Sequence, residues 1–545
     1  MPSSSPHSTF SPCPNPQRPE RSERRGRIST WQLALLSTGS MIGSGWLFSP
    51  YYGLQAAGGA VLLAWVLAAA LSLVVSLSFA RMCGAFPVVG GTYRLLGITH
   101  PRSTANVFLI LGWLSYVVFL PLEAQSVVQY LAFWWPGLVR HLAAGEVQLS
   151  WSGLGVGVLL ILGITWFNTL HITRVAQANA WVSLWKVLVP LLVALAVIVL
   201  HGRREHFAAH WNTGPLALEP AMLAVIGSGL AFAFAGFQNG LILANQVRDP
   251  RRSLPFSLYL PLLLGLLLYM LLSSSFMATL PAGPAALGSA AAPLLGLVSM
   301  LGLGLLMPVL LADAVIAPMG TANVFVAVTA RILYACGYEL RPGGRLTRLN
   351  RHGSPVFALW VNAAVGLLFL LPFPTWRQLV GFLSSMVVFA YLAGPVSLLV
   401  LTRTASRSAL GLRGTLRARL AGGAGFLCST WLVYWGGRHN LGWLLLALVL
   451  ALALQGWLEG RGAGLRRDLK ANVYLVGFVA ALCALSWARH LEWLGFPWDN
   501  LAAALVGLLA CAGFLRARLG DAQIEAQVLR LAEERRSDAM ASSSA

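Results

Sequence analysis

The 545-residue sequence contains little charge and almost no lysine. Only 10% of its residues are charged, against about 25% in an average soluble domain, and 57% are hydrophobic. Of its 38 basic residues, all but Lys186 and Lys470 are arginines. This composition excludes a soluble catalytic domain and indicates a membrane protein. The formal charge of +20 must therefore be tested against membrane topology before it is taken as a sign of nucleic acid binding.

The sequence also lacks the patterns of metal, disulfide, nucleotide and catalytic sites. Its six cysteines form no C-x-x-C pair and have no histidine at ligand spacing. It contains no Walker A motif and no His-Glu-x-x-His helix, so neither ATP hydrolysis nor intramembrane catalysis is predicted. His201, His206 and His210 fall in one outer loop, but no spans hold them in a fixed geometry. We therefore expect no metal site and no cofactor.

Long apolar runs recur along the chain, and each is long enough to cross a hydrocarbon core of about 30 Å as a helix. Their continuous apolar character excludes the alternating pattern of a membrane β-barrel. We predict an all-α polytopic membrane protein with about fourteen spans, or twelve if the last pair is not transmembrane. The predicted spans are 31–54, 59–81, 104–135, 151–170, 178–200, 221–244, 255–280, 293–334, 355–372, 377–401, 420–436, 441–458, 472–488 and 499–516.

The basic residues divide unequally between the two sides that these spans define. With the N-terminus inside, 31 of them fall on the inner side and 6 on the outer side, while Lys186 lies within a span. The positive-inside rule then places both termini in the cytoplasm. No apolar segment precedes Trp31, so we predict no cleavable signal peptide. A bacterial inner (plasma) membrane is the expected location.

Two spans are interrupted by glycine near the middle of the bilayer. The first contains Gly39-Ser40-Met41-Ile42-Gly43-Ser44-Gly45, and the sixth contains Gly227-Ser228-Gly229 and Ala235-Gly236. Each glycine weakens a helix by up to about 1 kcal/mol, and freed backbone groups at this depth must face protein or a cavity. Broken helices five spans apart are typical of an inverted repeat with a transport site between its halves. Close packing of small residues is the alternative.

Four motifs in order resemble those of the amino acid, polyamine and organocation (APC) superfamily of transporters. They are the glycine-rich segment 39–45 followed by Phe48, the loop Phe86-Pro87-Val88-Val89-Gly90-Gly91-Thr92-Tyr93, the segment 232–237 with Asp249-Pro250-Arg251-Arg252 and Pro255 after it, and Ala330-Arg331-Ile332-Leu333-Tyr334-Ala335 through Pro355. The segment from Asp313 to Arg331 resembles an aspartate/proton symporter-like branch.

The resemblance implies a LeuT-type fold and transport of amino acids or related amines by alternating access. Helices 1 to 5 (31–200) and 6 to 10 (221–401) would be the inverted repeats, followed by accessory helices 11 to 14 (402–516). Tails 1–30, expected to be disordered, and 517–545 would lie in the cytoplasm.

The resemblance also implies a substrate site at the two breaks. Backbone N–H groups of Ile42, Gly43, Ser44 and Gly45 would hold the substrate carboxylate at a half-helix N-terminus. Carbonyls around Ser40, Met41, Phe232, Ala233 and Ala235 would take the amino group, and Gly236 belongs to the same motif. Phe232 or Phe234 would close over the substrate, with packing in the core as the alternative; Trp113 and Tyr116 are weaker candidates.

Three charged residues lie within predicted spans, where charge is costly and often functional. Lys186 matches a fifth-helix lysine of the superfamily that takes the place of a sodium ion, which argues against sodium coupling. Glu123 and Asp313, with Thr321 nearby in sequence to Asp313, are further candidates for ion coupling; hydrogen-bonded structural roles are the alternative. We expect no direct Lys186–Asp313 ion pair, because the two lie at different depths.

One position departs from the superfamily pattern. Gln238 stands where many members have a glutamate, and an amide does not titrate. We therefore predict a sodium-independent, proton-coupled amino acid transporter, with amino acid exchange or amino acid sensing without transport as alternatives. The sequence does not fix which amino acid or amine is the substrate, nor the oligomeric state. The predicted partners are a small-molecule amino acid substrate and the lipid bilayer, with protons as a further candidate and no nucleic acid.

Overall fold

The structure is a computed structural model that describes residues 29–530 apart from several short gaps. The residues in this range that it does not describe are 86–93, 143–145, 171, 212–216, 248–249, 281–282, 284–286, 288–290, 341–342, 405–414 and 460–463. The predicted cytoplasmic tails up to residue 28 and after residue 530 lie outside the described residues. The motif from Phe86 to Tyr93 and Asp249 lie outside them as well.

Helices make up almost all of the described chain, and the first half contains the two broken spans. The helices of this half are α1 (Thr30–Met41), α2 (Gly45–Ala57), α3 (Val61–Ala85), α4 (Arg94–Thr99), α5 (Arg102–Val117), α6 (Phe119–Leu131), α7 (Trp151–Asn168), α8 (Ile172–His201), α9 (Arg204–Trp211), α10 (Leu218–Gly227), α11 (Leu230–Ala233) and α12 (Pro250–Thr279).

The second half continues with longer, less interrupted helices. They are α13 (Pro293–Met300), α14 (Leu306–Leu340), α15 (Val356–Leu368), α16 (Trp376–Ala390), α17 (Ala393–Leu401), α18 (Thr415–Tyr434), α19 (Gly437–Glu459), α20 (Gly464–His490) and α21 (Trp498–Arg516), with a further helix over 521–530.

The all-helical, multi-pass architecture predicted from the sequence is confirmed. Ten described helices, or eleven with one bent pair, are long and apolar enough to span a membrane. The bent pair is the sixth predicted span, and the ninth predicted span is a helix of only 13 residues, α15. Helix α18 accounts for the eleventh predicted span, so a helix lies at each of the fourteen predicted positions. The number of membrane crossings stays a prediction.

Two local features differ from the sequence-based expectation. A small antiparallel hairpin, β1 (Val139–His141) and β2 (Val147–Leu149), lies in the loop between the third and fourth predicted spans of a chain that was predicted to be all-α. The predicted eighth span, 293–334, is two helices, because the chain turns between α13 and α14 at Gly302, whose φ is +69°. Glycine adopts this left-handed conformation without steric cost, and the neighbouring apolar residues hide the turn in the hydropathy pattern.

The core brings the broken first span against helices from both halves of the chain. Ser29 begins α1 with a capping box to Gln32, and α1 then packs on α8, α12 and α14. The contact with α8 depends on Gly39, because a Cβ there would lie 1.8 Å from Ser183 Oγ. The close approach fixes α1, the N-terminal half of the first span, against the fifth span.

Candidate functional site

The first span unwinds at the glycine-rich motif. Helix α1 ends at Met41, Ile42 is extended (φ −82°, ψ 93°), and α2 begins at Gly45. Amides at the start of a helix have no acceptor within that helix, and the helix dipole favours an anion there. The N–H of Ile42 donates to the Thr38 carbonyl and that of Gly43 to the Met41 carbonyl, so the donors that the start of α2 turns into the bundle begin at Ser44.

The sixth span breaks twice, and one break touches the first span. Helix α10 and the segment that begins with α11 meet at an angle of 58°. Gly229 and Gly236 adopt left-handed backbone conformations, with φ of +74° and +110°. A Cβ on Gly236 would lie 2.7 Å from the Ser40 carbonyl oxygen, and Ser40 Oγ lies 3.0 Å from the Gly236 carbonyl oxygen. Glycine is required at this contact for both its φ and its size.

The structure brings together the residues that the sequence predicted for substrate binding. All eleven are buried and belong to the broken segments 40–45 and 232–236; they are Ser40, Met41, Ile42, Gly43, Ser44, Gly45, Phe232, Ala233, Phe234, Ala235 and Gly236. The Ala233 carbonyl accepts a hydrogen bond of 2.8 Å from the Tyr269 hydroxyl. The Ile42 carbonyl accepts one of 3.0 Å from Thr321. These two carbonyls therefore each have a protein partner already.

Lys186 links three spans beside the first break. Its side chain is 1% exposed, and Nζ donates to the Gly39 carbonyl at 2.9 Å and to Thr321 Oγ1 at 2.7 Å. Thr321 Oγ1 in turn donates to the Ile42 carbonyl. One ammonium group thus holds α1, α8 and α14 together through oxygen atoms, which is the kind of ligand that a bound alkali cation would use.

Glu123 and Asp313 are buried carboxyl groups in the same region. Glu123 on α6 accepts a hydrogen bond of 2.8 Å from the Ser44 backbone N–H. Both carboxyl groups act electrostatically on Lys186. Among the described residues, none of the three ion pairs includes Lys186.

The two candidate gating rings lie in different surroundings. Phe232 is 3% exposed and contacts the rings of Phe119 and Trp376, with centroid distances of 5.4 and 6.0 Å. Phe234 instead packs on Trp65 and Tyr269, away from the first break. Phe232 is thus the ring beside the breaks, and the ring of Phe234 belongs to the core.

The residue that departs from the superfamily pattern is held in a polar cluster. Gln238 Nε2 donates to the Tyr116 hydroxyl at 2.8 Å, and Gln238 Oε1 accepts from the Gly236 N–H and from the Tyr391 hydroxyl. Tyr116, a weaker candidate by sequence, therefore contacts the sixth-span break through Gln238. Trp113 points elsewhere and donates to Asn362.

Sequence reasoning missed Trp376 and Tyr269. The Trp376 indole N–H lies 3.2 Å from Ser44 Oγ, and its ring stacks on Phe48 at 4.6 Å. Both residues lie in long apolar helices that carry no local motif, so nothing in the sequence distinguished them from core aromatics.

Comparison with known proteins identifies the family that this arrangement belongs to. A family model described as amino acid permease matches residues 28–483. The chain belongs to the amino acid permease family. The permease is 27% identical over 503 residues to the glutamate/serine transporter AimA of Bacillus subtilis, which covers 89% of this chain and 92% of the relative. It is 26% identical over 473 residues to the aspartate-proton symporter of the same organism, covering 84% and 89%.

A more distant relative has a different class of amino acid in its name. The branched-chain amino acid permease BcaP of Bacillus subtilis is 24% identical over 386 residues, covering 68% of this permease and 80% of the relative. The resemblance to the APC superfamily is confirmed, and the family and these relatives are transporters rather than enzymes. The permease is an integral multi-pass membrane protein.

Proposed function

We propose that this permease carries amino acids across the bacterial cytoplasmic membrane by alternating access, independently of sodium and coupled to protons. Both termini would lie in the cytoplasm. The observation that carries the proposal is the position of Lys186, whose ammonium occupies the junction of α1, α8 and α14 through Gly39 and Thr321. A fixed ammonium at this junction leaves no room for a sodium ion among the same oxygens.

The facing breaks supply the substrate site in this proposal. Within the predicted segment from Ile42 to Gly45, the amides of Ser44 and Gly45 at the start of α2 would hold the substrate carboxylate, because a half-helix N-terminus favours an anion. The free carbonyls at the breaks would take the amino group. Phe232 would cover the bound substrate, since its ring already lies between Phe119 and Trp376 at the edge of the break.

Movement of the broken halves would open the site to each side in turn. The inner half, α1, is joined to the fifth and eighth spans through Lys186, whereas α2 contacts α11 through Gly45, where a Cβ would lie 3.0 Å from Ala233. Both halves contact α12, but α8 and α14 pack on α1, whereas α10 and α11 pack on α2, so each half also has partners of its own. A rigid-body motion of one set relative to the other would change access without unfolding the helices.

Proton coupling would use Lys186, Glu123 or Asp313, or the substrate itself. Support comes from the burial of all three groups and from the relative whose name is aspartate-proton symporter. Exchange of one amino acid for another is the second candidate function. Exchange is favoured by Gln238, because its amide side chain does not titrate and already forms hydrogen bonds in a polar cluster at the sixth-span break.

Uptake into proteoliposomes tests the proposal. Purified permease in sodium-free buffer would be given radiolabelled glutamate, aspartate, serine, a branched-chain and a cationic amino acid, with and without an inward proton gradient. We expect saturable uptake that the gradient accelerates. Uptake only into preloaded vesicles would make the protein an exchanger. Clear binding without any uptake would overturn transport in favour of sensing, and a requirement for sodium would overturn the proposed coupling.

A further inference from the structure

The carboxylate of Glu123 occupies the break in the first span. Glu123 lies on α6 and is 0% exposed. Its Oε2 accepts the Ser44 backbone N–H at 2.8 Å. Its Oε1 is buried and accepts no hydrogen bond from any described residue. One oxygen is therefore tied to the backbone of the broken span, and the other points into the same place without a partner.

The amide that Glu123 binds is one that only the broken helix makes available. Ser44 is the residue before α2, and its N–H would be bonded to an earlier carbonyl in a continuous helix. Here the helix has ended at Met41, so the Ser44 N–H points into the bundle at the positive end of the α2 dipole. A carboxylate is the group that this end of a helix favours most.

Gly43 makes the approach of Glu123 possible. A Cβ on Gly43 would lie 2.4 Å from Glu123 Oε1 and 3.1 Å from its carboxyl carbon. Any other residue at this position would push the carboxylate away from the break. The space that a side chain at position 43 would occupy is therefore filled by the carboxyl group of Glu123 from a different span.

Two carboxylates cannot share this place. A second anion at the Ser44 N–H would contact Glu123 Oε1 or Oε2 within hydrogen-bonding range, where like charges repel strongly in a buried site. The donor also has only one hydrogen. An anion that bonds to the Ser44 amide must therefore first displace the ionised carboxylate of Glu123.

We propose that Glu123 is an internal substitute for the substrate carboxylate, which occupies the Ser44 amide in the empty permease and is displaced when an amino acid binds. The inference rests on the proposed function, because it takes the start of α2 as the carboxylate site. Glu123 then sets specificity. A ligand carboxylate that displaces Glu123 accepts the Ser44 N–H in its place, whereas an amine without a carboxylate cannot accept this bond.

Substitution of Glu123 should tighten the binding of ligand carboxylates to the Ser44 amide, a result that other roles of Glu123 do not predict. In Glu123→Gln the amide oxygen still reaches the Ser44 N–H, but a neutral acceptor forms a bond about half as strong as a charged one. The weaker bond of the glutamine is easier for a ligand carboxylate to displace. We expect carboxylate ligands to bind about tenfold more tightly, which corresponds to about 1.4 kcal/mol. Glu123→Ala removes the competitor altogether and should tighten binding at least as much.

Equilibrium binding to the full chain in detergent micelles at fixed neutral pH is the test. The probes are the standard L-amino acids, with ethanolamine and 3-methylbutylamine as the carboxylate-free counterparts of serine and leucine. Glu219→Gln is the charge-matched control, because it removes one negative charge at the half-exposed outer end of α10. Size-exclusion chromatography and the melting temperature show whether each variant is folded.

The outcomes separate this inference from the proposed function. Tighter binding of amino acids to Glu123→Gln, without tighter binding of the two amines or any change in Glu219→Gln, supports the substitute role. Binding to the variant alone supports it as well. Weaker amino acid binding to a folded Glu123→Gln would mean that Glu123 binds the substrate amino group, and an unchanged Kd would mean a structural role; both overturn the inference and leave the proposed function standing. Failure of every amino acid to bind any of these proteins would overturn the proposed function and this inference together.

Discussion

Arg489 donates a hydrogen bond of 2.8 Å to the carboxylate of Asp499, a fully buried acid near the start of α21. The same guanidinium group also contacts Glu219 on α10, the first helix of the sixth predicted span. Asp499 further accepts from the Tyr434 hydroxyl and from Asn500. Arg489 on α20 therefore links the start of α21 to α10 in the broken sixth predicted span.

The two acids bound by Arg489 should contribute very differently to stability. Asp499→Asn leaves Arg489 partly buried without its internal counter-charge, which costs about 3 kcal/mol when a buried pair is broken. Glu219→Gln affects a pair whose acid is 43% exposed, and such pairs contribute under about 1 kcal/mol. We expect a clearly lower melting temperature in detergent for Asp499→Asn only. Equal shifts in the two variants would contradict this assignment.

His100 should make the folded permease sensitive to mild acid. It lies between α4 and α5, where Nε2 is 3.1 Å from the Phe514 carbonyl and Nδ1 is 2.9 Å from Thr99 Oγ1. Burial lowers the pKa of His100 from 6.5 to about 4, against the weaker opposing effect of the Phe514 carbonyl. The unfolded chain therefore takes up a proton below pH 6.5 that the folded protein does not accept until about pH 4.

The free energy of unfolding should fall by about 3 kcal/mol over this pH range, because one pKa unit corresponds to about 1.4 kcal/mol. The comparison is with His100→Gln, which keeps a donor for the Phe514 carbonyl but does not titrate. Melting temperatures measured from pH 7 to pH 4 should decline more steeply for the natural protein. Parallel curves for the two proteins would exclude His100 as the cause.

The contact between Gly39 and Ser183 should have room for only one of the two side chains. Adding a methyl group at Gly39 should destabilise the protein unless the side chain of Ser183 is removed at the same time. Gly39→Ala places a methyl group 1.8 Å from Ser183 Oγ and 2.6 Å from its Cβ, so α1 and α8 must separate. We expect a loss of ~1 to 3 kcal/mol from this overpacking, with partial recovery in Gly39→Ala/Ser183→Gly. Gly155→Ala on α7 is the control, because a Cβ there meets nothing within 4 Å. Thermal unfolding that ranks the double variant below the single one would refute the steric explanation.

Lys186 should be needed for coupling rather than for exchange. Lys186→Met keeps most of the side-chain volume but removes the donor to Gly39 and Thr321. In proteoliposomes we expect the acceleration of uptake by an inward proton gradient to disappear, while exchange against preloaded amino acid continues. Thr165→Val is the control, since that buried hydroxyl bonds only to the Ile161 carbonyl of its own helix. Retained gradient-driven uptake in Lys186→Met would remove Lys186 from the coupling mechanism.

Local backbone chemistry made much of the permease readable from its sequence. Apolar runs predicted helices at the right positions because a membrane helix must satisfy its own backbone hydrogen bonds and hide them from lipid. The glycine clusters predicted the breaks in the first and sixth spans, since a helix interrupted at bilayer depth requires residues that adopt unusual φ or allow close contact. Lys186 was recognisable because a lone charge inside a span needs a specific partner.

The partners themselves were decided by the tertiary structure. Nothing along the chain indicated that Glu123 would bind the amide of Ser44, since this contact depends on how α6 packs beside the first break. The separation of Phe232 from Phe234, two residues apart in one motif, likewise depends on which neighbouring helix each ring meets. Sequence period and residue type determine which groups are buried, but the relative placement of helices distant in sequence determines which buried groups meet.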